Sequence, residues 1–420
     1  MDAPYDLLVK NISTLLTCVP GGDDPLGIIK NAAIASIDGK IAWAGREADL
    51  PEEAVKSAVE VIDARRAVAF PGLIDSHTHL VFGGSRQDEW ARKLAGVPYM
   101  QIAAEGGGIN ATVKATRAAS QDELFERSIH WLDEMLSWGV TCVEGKTGYG
   151  LNTETELKIM EVMERLDKQH VVEVIPTFMG AHDFPPEYRE NHEAYVRLIL
   201  DEMLPAIGEQ GYARFCDVFC EEGAFTPDQA SRILIAAQDY GMVPRLHADQ
   251  FQDSGAAELA AEIGAIAADH LENMDEKNIA LLKEKEVVAG LLPICSLYLN
   301  YKYPPARKML DAGLRVAIAT DFNPGSAMCS NLPFAAQLAC MQMKMRFDEA
   351  ILGITRSASE SLLMENKIGT LAEGLRMDIA LMDIPAPEYF LYHIGRKHTW
   401  KVVKRGKIVW ENPAEPVFLG

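Results

Sequence analysis

The chain lacks a Cys-x-x-Cys pair, a long apolar run and any surplus of basic charge. Each absence removes a class of protein. Its seven cysteines, Cys18, Cys142, Cys216, Cys220, Cys295, Cys329 and Cys340, are odd in number and scattered. That spacing argues against a disulfide framework and against a closed, Cys-built zinc site, and points to reduced, mostly buried thiols in the cytoplasm. Cys216 and Cys220 fall on one face of a strand and read as core packing. No stretch reaches the roughly 18 apolar residues that a membrane span needs. The opening Met1-Asp-Ala-Pro-Tyr-Asp6 has neither the basic nor the apolar region of a signal peptide, so a cytoplasmic location is expected. With 40 Lys and Arg against 61 Asp and Glu, the net charge of −21 denies nucleic acid a basic face. It leaves room for an anionic small-molecule substrate, because one Arg can dominate a pocket.

At 420 residues, 48% of them hydrophobic and 24% charged, the chain can bury a large core and is expected to form more than one domain. Residues 1–66 are strand-rich, with short apolar runs at Asp6-Leu-Leu-Val-Lys10, Ala32–Ile37 and Lys40–Gly45 and a hairpin signal at Asp38-Gly39. Residues from about 367 onward repeat this pattern at Asp378–Asp383 and Trp400–Trp410. These two flanks, 1–66 and 367–420, are predicted to pair into one small β-sandwich domain.

Between them, over 67–366, helix and strand alternate. Ser120-Gln-Asp-Glu123, Thr153-Glu-Thr-Glu156 and Thr226-Pro-Asp-Gln229 read as capping-box helix starts. Helices stop at glycines that lead into strands, as at Gly139, Gly241, Gly264 and Gly313. Eight strands result, at 72–77, 140–145, 172–179, 215–221, 243–248, 265–270, 287–293 and 315–320. The pattern predicts a (β/α)₈ barrel of the TIM type, whose active site lies at the C-terminal strand ends.

The chemistry-bearing residues sit at those ends. Ala69-Phe-Pro-Gly-Leu-Ile-Asp-Ser-His-Thr-His-Leu80 closes an apolar strand with His77 and His79, two imidazoles on one face. His247 ends Val243-Pro-Arg-Leu-His, and Asp321 ends Val316-Ala-Ile-Ala-Thr-Asp. Three His and one Asp suit a catalytic mononuclear metal site, which keeps a position open for water. Asp321 either ligates the metal and takes the water's proton, or serves as a helix N-cap before Phe322-Asn-Pro. His270 ends the sixth strand and is open to several roles: second-metal ligand, proton shuttle, donor to a substrate oxygen, or core histidine. The fourth strand ends in Phe219-Cys-Glu-Glu-Gly223 with no Lys to bridge two metals, which favours one ion.

Other candidates line the same end. His182 follows the third strand. Arg86, on the Gly83-Gly84 loop, reads as a carboxylate clamp or a surface cation. Tyr149 offers a phenol after the second strand, and Asn323-Pro-Gly-Ser326 offers amide and hydroxyl donors after the eighth. Glu105-Gly-Gly-Gly-Ile109 looks like a mobile loop and only weakly like a phosphate cradle. His130, His170, His192, His393 and His398 read as structural or solvated.

At these residues the chain resembles the amidohydrolase superfamily and, within it, the imidazolonepropionase family of histidine degradation. The resemblance spans nearly the whole chain. It is carried by Pro71–Arg86, the Tyr99-Met-Gln-Ile102 stretch leading to Gly106-Gly-Gly-Ile109, Lys146-Thr-Gly-Tyr-Gly-Leu151, Gly180-Ala-His182, His247-Ala-Asp-Gln-Phe251, Ala268–Glu272 and Thr320–Ser326. It implies a cytoplasmic hydrolase that opens the ring of 4-imidazolone-5-propanoate to N-formimidoyl-L-glutamate. It implies one zinc or iron ion on His77, His79, His247 and Asp321, and substrate contacts from Arg86, Tyr149, His182, Gln250, Asn323, Gly325 and Ser326. It implies catalytic roles for Asp321, His270 and His182, and a homodimer. Gln250 stands where the family carries Gln or Glu, and a Gln orients substrate without transferring a proton.

Two rival readings remain. A deaminase of a heterocyclic base would share the scaffold, but it usually has a Glu two or three residues after the fifth-strand His, where this chain has Asp249 and Gln250. A non-catalytic scaffold protein usually loses ligands, and all four are present.

Overall fold

The computed structural model describes residues 4–97, 101 and 105–419. Eight parallel strands form one sheet in strict chain order: Leu73–Thr78, Val140–Lys146, Glu173–Ala181, Phe215–Cys220, Val243–Ala248, Ala267–His270, Val288–Leu291 and Val316–Ile318. The eighth returns to the first through backbone bonds just beyond its end. Asp321 N–H donates to the His77 carbonyl at 3.1 Å, and His79 N–H to that of Phe322 at 2.9 Å. The architecture is the expected (β/α)₈ barrel.

Strand alternation builds its interior in layers. The lowest layer is apolar, with Ile74, Cys142, Ile175, Phe215, Ala267, Val288 and Ala317 packed on Ala358, Leu362 and Met364. Two residues further along, the same faces carry Glu144, Thr177, Asp217, Arg245, Asp269 and Gly290. Gly290 has to be glycine here, since a Cβ would lie 1.9 Å from Asp269 Oδ1. A further step of two reaches Lys146 and His247, at the mouth.

The terminal segments form a second, mixed sheet of eight strands. Its hairpin at Asp38-Gly39 has φ values of 50° and 71°, as a type I′ turn requires. Ile41 N–H donates to Leu375 O and Met377 N–H to Gly39 O, so the sheet folds over its own core of Leu7, Ile34, Ile379 and Val403. Val68–Pro71, on the barrel side of the sequence division at residue 67, pairs in this sheet with Ile379–Met382 and Leu7–Leu16. Gly72 alone separates it from the first barrel strand.

Capping boxes start the helices Gln121–Ser137 and Pro227–Gln238 at Ser120 and Thr226. The helix Thr153–Gln169 begins one residue earlier than expected, with Asn152 as its cap. Its Glu156 is buried and accepts from the amides of Gly148 at 3.0 Å, Gly150 at 2.7 Å and Leu151 at 2.8 Å. That task takes it away from the helix end, and it shapes the loop that carries Tyr149. All seven cysteines are free thiols. No helix among the described residues is long and apolar enough to cross a membrane.

Candidate active site

His77, His79 and His247 converge at the C-terminal mouth of the barrel, each buried, with one ring nitrogen apiece within 4.8 Å of the others. His79 Nε2 lies 3.4 Å from His247 Nε2, and Asp321 Oδ1 lies 3.5 Å from both His77 Nε2 and His79 Nε2. Neighbouring donors held at about 2.0–2.1 Å from one small ion stand roughly 3–4 Å apart, so these spacings suit a single ion. His77 Nε2 is buried without a hydrogen-bond partner. Burial, reinforced by neighbouring cations and rings, pushes the protonation of His77 and His79 well below the usual histidine range. His247 is lowered too, burial outweighing the opposite pull of Asp217. Neutral imidazole is the form that ligates.

Carboxylates beneath fix the two barrel-wall rings. His77 Nδ1 faces Asp269 Oδ2 at 2.7 Å, and His247 Nδ1 faces Asp217 Oδ1 at 3.0 Å. A carboxylate accepts a hydrogen bond, so each Nδ1 carries the proton and each Nε2 points its lone pair at the centre. The carboxylates are held in turn by buried cations. Lys146 Nζ donates to Glu144 and Asp217, each at 2.7 Å, and Arg245 donates to Asp269 at 3.0 Å. Burial opposes charge on Asp217 and Asp269, but these cations and His247 more than offset it, and both carboxyls fall below the usual range. The sequence reading assigns no role to Glu144, Lys146, Asp217, Arg245 or Asp269, although Lys146 and Asp269 lie inside motifs that carry the resemblance. A second signal is spacing for three of them: Glu144 and Lys146, and Arg245 and His247, lie two apart on largely apolar strands.

Burial raises the carboxyl of Asp321 to about 6. Asp321 and His270 both adopt left-handed backbone, with φ of 56° and 78°, a strained state that turns their side chains into the mouth. His270 is buried, with Nδ1 3.8 Å from Glu272 Oε1 and its ring centre 5.2 Å from that of His247. Burial disfavours its charged form, yet Glu272, Asp321 and Asp269 together raise its protonation above the ordinary value.

His182 stacks on His79 with ring centres 4.8 Å apart and approaches Tyr149 at 5.3 Å. Its Nδ1 lies 3.0 Å from the Gly148 carbonyl, and burial holds it neutral, down to about 3. A carbonyl only accepts, so Nδ1 carries the hydrogen and Nε2 is left as an acceptor. Gln250 Nε2 reaches Cys295 Sγ at 3.4 Å. Asn323 Oδ1 accepts from the amides of Gly325 and Ser326, both at 2.8 Å, and so shapes the turn after the eighth strand. Arg86 leans over that turn, its Nε donating to Glu89 Oε2 at 3.0 Å. The structure thus brings all the sequence-derived site residues to one mouth. Tyr99, Met100 and Ile102 of the Tyr99–Ile102 stretch lie outside the described residues. Elsewhere, His170 pairs with Asp133 at 3.2 Å and His192 stacks on Phe184, away from this cluster.

A metal-ready His cluster at the mouth of such a barrel defines a class, and the chain belongs to it: the model of the amidohydrolase family matches residues 68–409. An adenosine deaminase from Xanthomonas campestris with bound zinc superimposes with a TM-score of 0.73 at 18% identity, covering 97% of this chain and 93% of that one. Ochratoxinase of A. niger gives 0.72 at 18% identity, over 99% of this chain and 98% of that one. These likenesses show the fold alone. Sequence relatives are more specific. The imidazolonepropionase of Alkaliphilus metalliredigens (strain QYMF) is 45% identical over 415 residues, 96% of this chain and 98% of that protein. That of Geobacillus sp. (strain WCH70) is 43% identical over 413 residues, 96% and 97% of the two chains. Within the amidohydrolases, this chain is a member of the imidazolonepropionase family.

Proposed function

We propose that the protein hydrolyses the ring of 4-imidazolone-5-propanoate to N-formimidoyl-L-glutamate, with one zinc or iron ion held by His77, His79, His247 and Asp321. The observation that carries this reading is the convergence of three Nε2 lone pairs and one carboxylate oxygen beside an Arg, in a chain of this family. An ion bound there would supply Lewis acidity and make water acidic enough to ionise near neutral pH. His₃Asp suits zinc and iron alike.

The chain's own residues divide the remaining work. Asp321 takes the proton of the attacking water and later returns it to the ring nitrogen as the C–N bond breaks. His270, favoured in its protonated form, donates to the oxygen on which charge develops. His182 offers an acceptor at Nε2 and so orients a substrate N–H. Arg86 and Tyr149 hold the propanoate, and Gln250, Asn323, Gly325 and Ser326 border the ring. The same reading carries a cytoplasmic location and a homodimer, the latter checked by light scattering.

Supplying imidazolone propanoate should yield formimidoylglutamate. Release of ammonia from a neutral heterocycle, with no turnover of the propanoate, would favour the deaminase instead. Elemental analysis of chelator-free protein should give one transition metal per chain. A reproducible two per chain would put His270 among the ligands. Arg86→Ala should lower kcat/KM for the propanoate by at least about tenfold, because truncating one member of a buried charge pair costs roughly 2–5 kcal/mol. Metal content should not change, and Arg86→Lys should rescue only in part, since a point charge does not reproduce the bidentate fork.

A further inference from the structure

Arg86 is held from two sides, by Glu89, which has no assigned part in the reaction, and by Gly325, whose assigned part is only to border the ring. On one side Glu89 Oε2 accepts from both Nε and Nη2, each at 3.0 Å. Glu89 Oε1 meanwhile accepts from the Gly108 amide at 3.0 Å, which ties the carboxylate to the start of the helix Ile109–Ala118. Both side chains are largely buried, 10% exposed for Arg86 and 13% for Glu89. On the other side lies Gly325, four residues beyond Asp321. A Cβ there would come within 2.1 Å of Arg86 Nη1 and 3.0 Å of its Cζ. Gly325 does not need glycine for its backbone, since its φ lies outside the positive region. Its missing side chain leaves room for the guanidinium. Among the described residues, Nη1 donates to no protein acceptor.

We propose that Glu89 and Gly325 are the specificity-determining residues that position Arg86. Glu89 grips the Nε–Nη2 edge, and Gly325 provides the gap through which Nη1 reaches a substrate carboxylate next to the metal ligands. This rests on Arg86 acting as the carboxylate clamp, and it adds what sets the clamp's reach. An Arg guanidinium recognises a carboxylate through its planar fork, so its orientation as well as its charge decides the affinity. Glu89 fixes that plane because it is itself anchored on a backbone amide.

The test compares two substrates of the metal-loaded enzyme, imidazolone propanoate and its uncharged propanamide. Gly325→Ala should lower the propanoate-to-propanamide ratio of kcat/KM by about tenfold or more, chiefly through KM, with metal content unchanged. The Ala methyl crowds the end of the Arg86 side chain and meets Asn323 Oδ1 at an ordinary 3.4 Å, with no backbone atom among these contacts, so folding is spared. Glu89→Ala should raise KM for the propanoate about tenfold through loss of hydrogen bonds to a charged group, and Glu89→Gln, which keeps an acceptor, should recover part of this. In Arg86→Ala backgrounds neither change should alter the ratio further. Equal losses on both substrates would mean a merely structural role and overturn the proposal. So would a lower KM in Glu89→Ala, because Glu89 would then compete with substrate for Arg86. If Arg86→Ala itself leaves the ratio unchanged, the clamp reading fails; if it collapses the ratio and Gly325→Ala does not, only the positioning proposal fails.

Discussion

Replacing His270 by Ala should leave the metal in place and lower kcat by about 10²–10⁴-fold, the usual scale for a positioned proton donor. The ring is buried at the end of the sixth strand, next to the metal-facing rings, and Glu272 and Asp321 favour its protonated form. Removing it takes away a cation-like donor at the moment when negative charge develops on the substrate oxygen. His77 and His247 keep their supports, since Asp269 and Asp217 hold them independently of His270. Metal analysis and steady-state kinetics on the same preparation decide the matter. Loss of metal would make His270 a ligand, and near-normal turnover would leave the oxygen without its assigned donor.

Lys146→Met should destabilise the fold by about 3–5 kcal/mol, the scale for removing one partner from a buried ion cluster. Lys146 is fully buried and is shared by Glu144 and Asp217, with Asp269 at 3.9 Å. Without it, Arg245 alone faces three carboxylates in the middle layer of the barrel. The Asp217 that loses its cation also orients His247, so metal affinity should fall as well, by about 10–100-fold. Urea unfolding with and without added metal measures both effects. A stability change under about 1 kcal/mol would show that the carboxylates take up protons at little cost and that Lys146 is dispensable.

The barrel is legible in the sequence because its signals are local. Glycines after four of the helices, at Gly139, Gly241, Gly264 and Gly313, together with apolar runs and polar strand ends, mark the strands one at a time, and His77, His79, His247 and Asp321 stand at such ends. The ionic layer is not legible in this way. Asp217, Arg245 and Asp269 come from three strands, and each alone looks like an ordinary charged residue. Only barrel closure makes them neighbours, as it does for Thr320 and Asp75, whose side chains meet at 2.6 Å across 245 residues. Glu156 misleads for a different reason. Its spacing from Thr153 matches a capping box, but three loop amides compete for the carboxylate and win. Gly325 enters the sequence reading only as a substrate contact that the resemblance implies, and the room it leaves for Arg86 emerges only from the structure.

The single glycine between Val68–Pro71 and the strand bearing His77 also has a consequence for biosynthesis. Val68–Pro71 is flanked on one side by residues 379–382, which pair in turn with Thr399–Lys404. A nascent chain therefore exposes the first barrel strand early, yet the sheet that fixes its entry stays incomplete until residues some 300 positions later have been made. Until then the edge of Val68–Pro71 is open to wrong partners. Variants that weaken Ile379–Met382 should for this reason lower the yield of soluble enzyme more than the activity of the molecules that do fold.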